Sequence, residues 1–172
     1  MVSHFMAVSE ELDFVNKAQS ERNISPYEVL TVASLAEAEA GNKDDLAKVT
    51  RVAYNRLYVG SPELACKCLE YDVGINYYYQ LTGRPTKPSG KMTRAEQNDP
   101  KNPYRLHGKE GMTPTPINNP GKAAMEGALN PPKGGSAIPY HEEDPFIRSE
   151  FEATLAKEGA ISRMEPERYS EP

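Results

Sequence analysis

Residues 25–57 read SPYEVLTVASLAEAEAGNKDDLAKVTRVAYNRL, and this stretch decides the fold because it contains signals for two consecutive helices. Ser25 and Glu28 have the spacing of a capping box at the start of the first helix, with a proline at the first helical position. Gly41 ends this helix, and the second begins at the Asp-Asp pair that follows and continues to Leu57. Apolar residues recur at helical spacing in both segments, which predicts a compact helical front half.

Outside this pair, three further helices are predicted. They cover residues 9–20, 119–129 and 144–157. Residues 74–79 fit either a strand or a short helix, and the sequence does not separate the two. A second capping box at 93–96 opens a short helix at most, and the proline-rich segment 98–120 is expected to form an ordered, extended loop. We therefore predict a mainly helical α+β domain with five helices, a small antiparallel sheet and a loop-rich rear half.

Composition excludes several classes of protein. The chain has 172 residues, a hydrophobic fraction of 38% and a net charge of -5, which favours a single domain. Lys and Arg form no basic stripe, so nucleic acid is not expected as a partner. No apolar run has the roughly 20 residues of a membrane helix, and the N-terminus lacks the pattern of a signal peptide. The sequence therefore contains neither an anchor nor a leader that we can identify.

The two cysteines, Cys66 and Cys68, are separated by one residue. The three histidines of the chain supply no recognisable pattern of further ligands, so we predict no metal site and no cofactor. We favour structural or unlinked thiols over an oxidised pair or a metal clip.

Glu37 and Glu39 are candidates for acid–base chemistry. On a helix they lie on opposite flanks of the same apolar stripe, where either carboxyl group can be partly buried. Partial burial raises the pKa of a carboxyl group, which can then act as a general acid near neutral pH. The alternative is an ordinary solvated charge at a helix end. Periodicity does not choose between the two glutamates.

Other polar and aromatic residues could contribute to a binding cleft. Asn55 and Arg56 end the second helix and could bind carboxylates, sugar hydroxyls or amides, or form a salt bridge instead. The tyrosines at 77–79 and Tyr104 could line a carbohydrate groove, although core packing explains them equally well. Ser34 lacks the partners of a serine hydrolase, and no phosphate-binding loop is present.

Five motifs in order resemble the catalytic domain of the YceG-like (MltG) family of endolytic murein transglycosylases, particularly its actinobacterial branch. The similarity covers about residues 20–135. The matching pieces are residues 27–39, residues 44–57, Leu69-Glu70-Tyr71-Asp72 with Asn76-Tyr77, Asn102-Pro103-Tyr104, and residues 111–131. On this resemblance we expect a domain over residues 1–160, followed by a polar tail over residues 161–172.

The resemblance implies an activity and a site. Members cleave the β-1,4 bond between N-acetylmuramic acid and N-acetylglucosamine within glycan strands and leave a 1,6-anhydro end. The family's single catalytic glutamate falls on Glu39, which acts first as acid and then as base. Asn55, Asp72, Tyr104 and Asn119 are the implied cleft residues, and Asn119 could also cap the third clear helix. Peptidoglycan is the expected partner, with cell-wall synthases as a second candidate. The expected location is the extracytoplasmic face of the membrane.

The chain also departs from the family pattern. Arg105-Leu106 replaces Asn-Thr after Tyr104, Met112-Thr113 replaces Leu-Pro, and Asp72-Val73-Gly74 lacks the usual threonine. The aromatic strand pair expected after residue 135 is replaced by residues 136–145, in which His141 is not a convincing substitute, so completeness of the sheet is left open. These departures favour an alternative function, namely a degenerate relative that binds peptidoglycan or a cell-wall partner without cutting. A hydrolase that uses water is a third alternative.

Overall fold

A computed structural model describes residues 2–20, 24–60, 64 and 66–132. Three of the sequence-based expectations concern residues outside these ranges. They are the helix at 144–157, the departure at 136–145 and the polar tail at 161–172.

The N-terminal segment forms two helices, α1 (Val2–Glu11) and α2 (Phe14–Ser20). The expected single helix over residues 9–20 is therefore wrong. Asp13 adopts a left-handed backbone conformation with φ of 50°, which interrupts the right-handed helix. The break allows Leu12, Phe14 and Ala18 to enter the core together.

Helix α3 (Pro26–Glu39) forms where the sequence predicts it. The Ser25 side chain accepts a hydrogen bond from the Glu28 N–H, and Glu28 accepts one from the Ser25 N–H, which confirms the capping box. The apolar face of α3 is buried. Its buried apolar residues are Val29, Val32, Ala33, Leu35 and Ala36. The C-terminal end of α3, with its two glutamates, lies at the edge of this core.

Helix α4 (Leu46–Tyr54) follows a short 3-10 turn, Lys43–Asp45, and continues into a π-helical turn, Asn55–Val59. Asn42 caps the 3-10 turn, because its side chain accepts hydrogen bonds from the next two aspartate N–H groups. A wide π turn changes the direction of the side chains at a helix end, and such turns are frequent at functional sites. Here the turn carries Asn55 and Arg56.

Three shorter helices complete the described part of the chain. They are α5 (Val73–Leu81), α6 (Arg94–Gln97) and α7 (Lys122–Leu129). Residues 74–79, which the sequence left open, are thus helical. Gly121 occupies the N-cap position of α7, so the expected helix start at Asn119 is wrong by two to three residues and Asn119 is not a cap.

The core lies between α3, α4 and α7, which pack against one another. Two side chains of α4 fix its position relative to α7, because the Tyr54 hydroxyl donates to the Ala128 carbonyl at 2.9 Å and Thr50 donates to the Gly127 carbonyl at 2.9 Å. A Cβ atom at Gly127 would lie 3.0 Å from the Cα of Ala47, so the two helices approach closely at this glycine.

Residues 98–120 form an ordered loop, as expected. Among the described residues, β pairing is limited to isolated bridges from Cys68 to Glu110 and Gly111. The small antiparallel sheet is therefore not observed in this part of the chain, which is mainly helical. The prolines of this loop lack the N–H donors that a strand ladder needs.

Gly74 is the point at which this loop meets α5. A Cβ atom at Gly74 would lie 2.1 Å from the Tyr104 carbonyl oxygen, a contact with backbone that no side-chain rotation relieves. We expect Gly74→Ala to lower the free energy of unfolding by about 2–4 kcal/mol. Gly90→Ala is the matched control, because a Cβ there meets no atom within 4 Å. Equal denaturant midpoints for the two variants would contradict the close approach.

Candidate active site

The two glutamates at the end of α3 have different surroundings. Oε2 of Glu37 accepts a hydrogen bond from the Gly121 N–H at 3.1 Å, which ties Glu37 to the start of α7. A carboxylate is favourable there, because a helix N-terminus presents free N–H groups and a partial positive charge. Glu37 therefore has a structural contact that accounts for its position.

Glu39 instead faces three charged side chains from other elements. The residue is exposed, but its carboxyl group is partly enclosed by protein, and this desolvation is the main cause of a raised pKa. The Asp72 carboxylate raises the pKa of Glu39 further, whereas the positive charges of Arg56 and His107 oppose the increase. The protonated form of Glu39 is thus favoured relative to an ordinary glutamic acid.

Arg56 extends from the π turn into the interior. Its side chain donates a hydrogen bond to the Leu69 carbonyl, and its guanidinium group lies 5.5 Å from the centre of the Tyr71 ring. Arg56 is only 3% exposed, so its charge is screened little by water. Burial raises the pKa of Tyr71 and keeps its hydroxyl neutral, against the effect of Arg56. The hydrogen bond to Leu69 therefore fixes the position from which the charge of Arg56 lowers the pKa of Glu39.

His107 connects two acidic side chains beside Glu39. Its Nδ1 lies 2.8 Å from Oε2 of Glu70, and its Nε2 lies 2.8 Å from Oδ1 of Asp72. Asp72 also accepts a hydrogen bond from Gln97 Nε2 at 3.2 Å. Asp72 is thus held in place by two partners.

The other expected site residues are dispersed. Asn55 lies on the π turn with Arg56 but is buried, with 1% exposure. Tyr104 packs its ring edge-to-face on Tyr77, with 4.8 Å between centroids, and its hydroxyl lies 3.1 Å from that of Thr115. Asn119 is exposed at a different place. Of the expected residues, only Asp72 thus acts electrostatically on Glu39.

Asn119 and Tyr77 line an open groove of about 510 Å³. Leu30 lies in the same groove, nine residues before Glu39 on α3, which corresponds to about 13 Å along a helix. The remaining lining residues are Phe5, Pro116, Ile117, Asn118 and Pro120. Tyr104 adjoins this groove through its contact with Tyr77. An aromatic ring beside amide side chains is suited to a sugar or a peptide.

Sequence reasoning did not select His107, Glu70 or Tyr71 as site residues. A signal was present in the sequence. Glu70-Tyr71-Asp72 places two acids beside a tyrosine, and His107 follows shortly after the Asn102-Pro103-Tyr104 motif. The pairing of the segments is long-range, however, with 35 residues between Asp72 and His107. Local pattern could not supply that contact.

Cys66 and Cys68 are joined by a disulfide, so the favoured expectation of unlinked thiols is corrected in favour of the oxidised pair. A Glu70 carboxylate oxygen lies within 4.8 Å of both sulfur atoms. Disulfide sulfurs are not thiolates and do not serve as metal ligands in this form. We therefore infer no metal centre from these three residues.

The sequence profile described as the YceG-like family matches residues 1–160. The chain belongs to the YceG-like family. Its curated relatives include the endolytic murein transglycosylase of Bacillus subtilis (strain 168), which is 34% identical over 121 residues, or 68% of this chain and 29% of that protein. An endolytic murein transglycosylase of Streptococcus pneumoniae (strain ATCC BAA-255 / R6) is 26% identical over 127 residues, or 74% of this chain and 22% of that protein. The chain thus spans about a quarter of the length of these relatives.

A solved structure agrees with the family assignment. The crystal structure of a YceG-like protein from Listeria monocytogenes superposes with a TM-score of 0.60 at 25% sequence identity, covering 80% of this chain and 40% of that one. Within the residues that the structure describes, no helix of this YceG-like chain is long and apolar enough to cross a membrane.

Proposed function

We propose that this chain is a lytic transglycosylase domain that cleaves the MurNAc–GlcNAc β-1,4 bond within peptidoglycan glycan strands and forms 1,6-anhydro-MurNAc ends. The observation that carries the proposal is the carboxyl group of Glu39, with its raised pKa, at the exposed end of α3. The names of the relatives give the reaction class, because both are endolytic murein transglycosylases.

The proposed reaction needs one carboxyl group with two roles. Protonated Glu39 donates its proton to the glycosidic oxygen as the bond from that oxygen to C1 of the muramic residue breaks. The Glu39 carboxylate then accepts the proton of the muramic C6 hydroxyl as its oxygen attacks C1, which closes the anhydro ring and regenerates the acid. No water enters the products. The raised pKa of Glu39 supports the first step, since the group must be protonated before it reacts.

Asp72 fits the role of an electrostatic partner in this proposal. Hydrogen bonds to His107 and Gln97 occupy Asp72 Oδ1, so the carboxylate is held in place. Its negative charge favours the acid form of Glu39 and would stabilise the positive charge that develops at C1. This arrangement differs from the two-carboxylate hydrolases, in which the second group activates water or forms a covalent bond.

The groove formed by Tyr77 and Asn119 extends the proposed substrate path beyond Glu39. Tyr104 and Asn119 would contact a strand there, whereas the buried Asn55 would support the π turn that carries Arg56. In this proposal residues 1–160 form the domain, residues 161–172 are a polar tail, and the domain acts at the extracytoplasmic face of the membrane.

The test is the identity of the product. Purified glycan strands incubated with the protein should give fragments that end in 1,6-anhydro-MurNAc. In mass spectrometry these fragments are ~18 Da lighter per cleavage than hydrolytic products, because no water is added. Reducing MurNAc ends would instead identify a hydrolase and contradict the transglycosylase proposal. Strands that stay intact would remove the enzymatic proposal for this chain.

A non-catalytic glycan binder is the second candidate. It is favoured because Glu39 is not among the residues that line the Tyr77 groove, and a groove with aromatic and amide side chains can bind a strand without cutting it. Sedimentation with purified sacculi without any product would support this candidate, and protein that stays in the supernatant would contradict it.

A further inference from the structure

His107 is the only histidine that the described side chains place between two acids. Its ring is 9% exposed and faces Glu70 at Nδ1 and Asp72 at Nε2, each at 2.8 Å. An ionised carboxylate can only accept a hydrogen bond. Both contacts are therefore satisfied together when both ring nitrogens donate, so that the ring links the two carboxylates.

Glu70 is itself held by contacts other than the one with His107. Its Oε1 accepts a hydrogen bond from the Gly108 N–H at 2.8 Å, and its backbone N–H donates to the Leu106 carbonyl at 3.1 Å. Glu70 also has a positive φ of 57°, which is uncommon for a residue with a side chain and persists where surrounding contacts enforce it. The backbone thus presents the Glu70 carboxylate to His107.

Through Nε2, His107 contacts Asp72, whose charge acts on the carboxyl group of Glu39. The charges that act on the Glu39 carboxyl group are Asp72 at the start of α5, Arg56 on the π turn and His107 on the loop before residue 108. Glu70 is not among the charges that shift the pKa of Glu39, whereas it contacts His107 directly. We therefore expect Glu70 to influence Glu39 through His107.

We propose that His107, clamped between Glu70 and Asp72, is a positioning residue that keeps the Asp72 carboxylate and one compensating positive charge at fixed places beside Glu39. This inference rests on the proposed role of Glu39 as the catalytic acid. His107 contacts no reacting atom in this arrangement. Its function is to set how readily Glu39 gains and loses its proton, and Glu70 holds the ring in place.

The direction in which one substitution changes the pKa of Glu39 distinguishes this proposal from a general charge effect. Glu70→Gln removes a negative charge, and a direct electrostatic effect of that loss would lower the pKa of Glu39. The clamp predicts the reverse, because glutamine holds the His107 ring less tightly than a carboxylate does, and a ring that moves away opposes the pKa increase at Glu39 less. His107→Phe removes the cation entirely and should raise the pKa of Glu39 as well.

The experiment is a carboxyl ¹³C NMR titration of Glu39 in the full chain, for the parent and three variants. Glu70→Gln and His107→Phe should both move the Glu39 titration to higher pH, and Glu110→Gln should leave it unchanged. Glu110 is the matched control, since it is an exposed acid whose carboxylate accepts a hydrogen bond from the Lys67 N–H. Should His107→Phe fail to fold, Glu70→Gln still decides the result, because it preserves shape.

Activity gives a second, separate readout. The high-pH limb of kcat/KM should move in the same direction as the Glu39 titration, and kcat should fall by about 10-fold to 100-fold for His107→Phe with little change in KM. A Glu39 titration in Glu70→Gln that moves to lower pH, or equals that of Glu110→Gln, would overturn the clamp. If the parent forms no anhydro product, the proposed function fails, while the NMR titration still tests the clamp.

Discussion

Replacing Glu39 with glutamine is expected to lower the rate of glycan cleavage by about 10²–10⁴-fold. Glutamine preserves the size of the side chain but cannot donate a proton to the leaving oxygen or accept one from the attacking hydroxyl. The quantity to measure is the initial rate of 1,6-anhydro product formation from purified strands. Binding to sacculi should be nearly unchanged, because the substitution removes a proton donor and leaves the groove intact.

Glu37→Gln provides the matched control for this prediction. Glu37 lies two residues away on the same helix end, but its carboxylate accepts a hydrogen bond from the Gly121 N–H, and a glutamine oxygen can accept the same bond. Activity of this variant should stay within about twofold of the parent, since side chains outside the reaction contribute little. Equal losses for the two variants would contradict the assignment of Glu39, and a loss confined to Glu37→Gln would transfer the role to that residue.

The helix predictions are confirmed where the start and stop signals are close together in the sequence. Ser25, Pro26 and Glu28 are adjacent, and the helix they begin is confirmed. The break between α1 and α2 had no such signal, because Asp13 is neither glycine nor proline and adopts its left-handed conformation in a folded context. Likewise, Gly74 lies against the Tyr104 carbonyl, a contact between distant segments that periodicity in residues 74–79 does not contain.

The candidate site likewise combines features that local sequence predicts with features that depend on distant contacts. The helix pattern placed Glu37 and Glu39 equally, and the choice of Glu39 rested on resemblance to a family. The physical difference between them comes from partners far along the chain, because Gly121 is 84 residues from Glu37, and Asp72 and His107 lie near Glu39 only after folding. Asn119, a cleft residue implied by the resemblance, lines a groove whose lining does not include Glu39.

Arg56→Met is expected to lower the free energy of unfolding by about 1–3 kcal/mol. Methionine fills much of the same volume, but the Leu69 carbonyl loses the charged donor from Arg56, and the Tyr71 ring loses a cation 5.5 Å from its centre. Removing a buried charge also removes its desolvation cost, which offsets part of the loss. Chemical denaturation monitored by circular dichroism measures the difference.

The same substitution should change how activity depends on pH. Arg56 opposes the raised pKa of Glu39, so its removal raises that pKa further. As pH increases, a general acid loses activity when it loses its proton. The high-pH limb of kcat/KM for Arg56→Met should therefore lie at higher pH than the limb of the parent.

Arg84→Met is the control that separates a buried cation from an exposed one. Arg84 also lies over an aromatic ring, 3.9 Å from the centre of Tyr79, but it is exposed and is not among the charges that act on Glu39. This variant removes the same charge and should cost less than about 1 kcal/mol, because an exposed cation–π contact is weak in water. Its pH profile should match that of the parent. If Arg84→Met shifts the limb as much as Arg56→Met, the effect reflects net charge, and the local placement of Arg56 beside Glu39 does not control the acid.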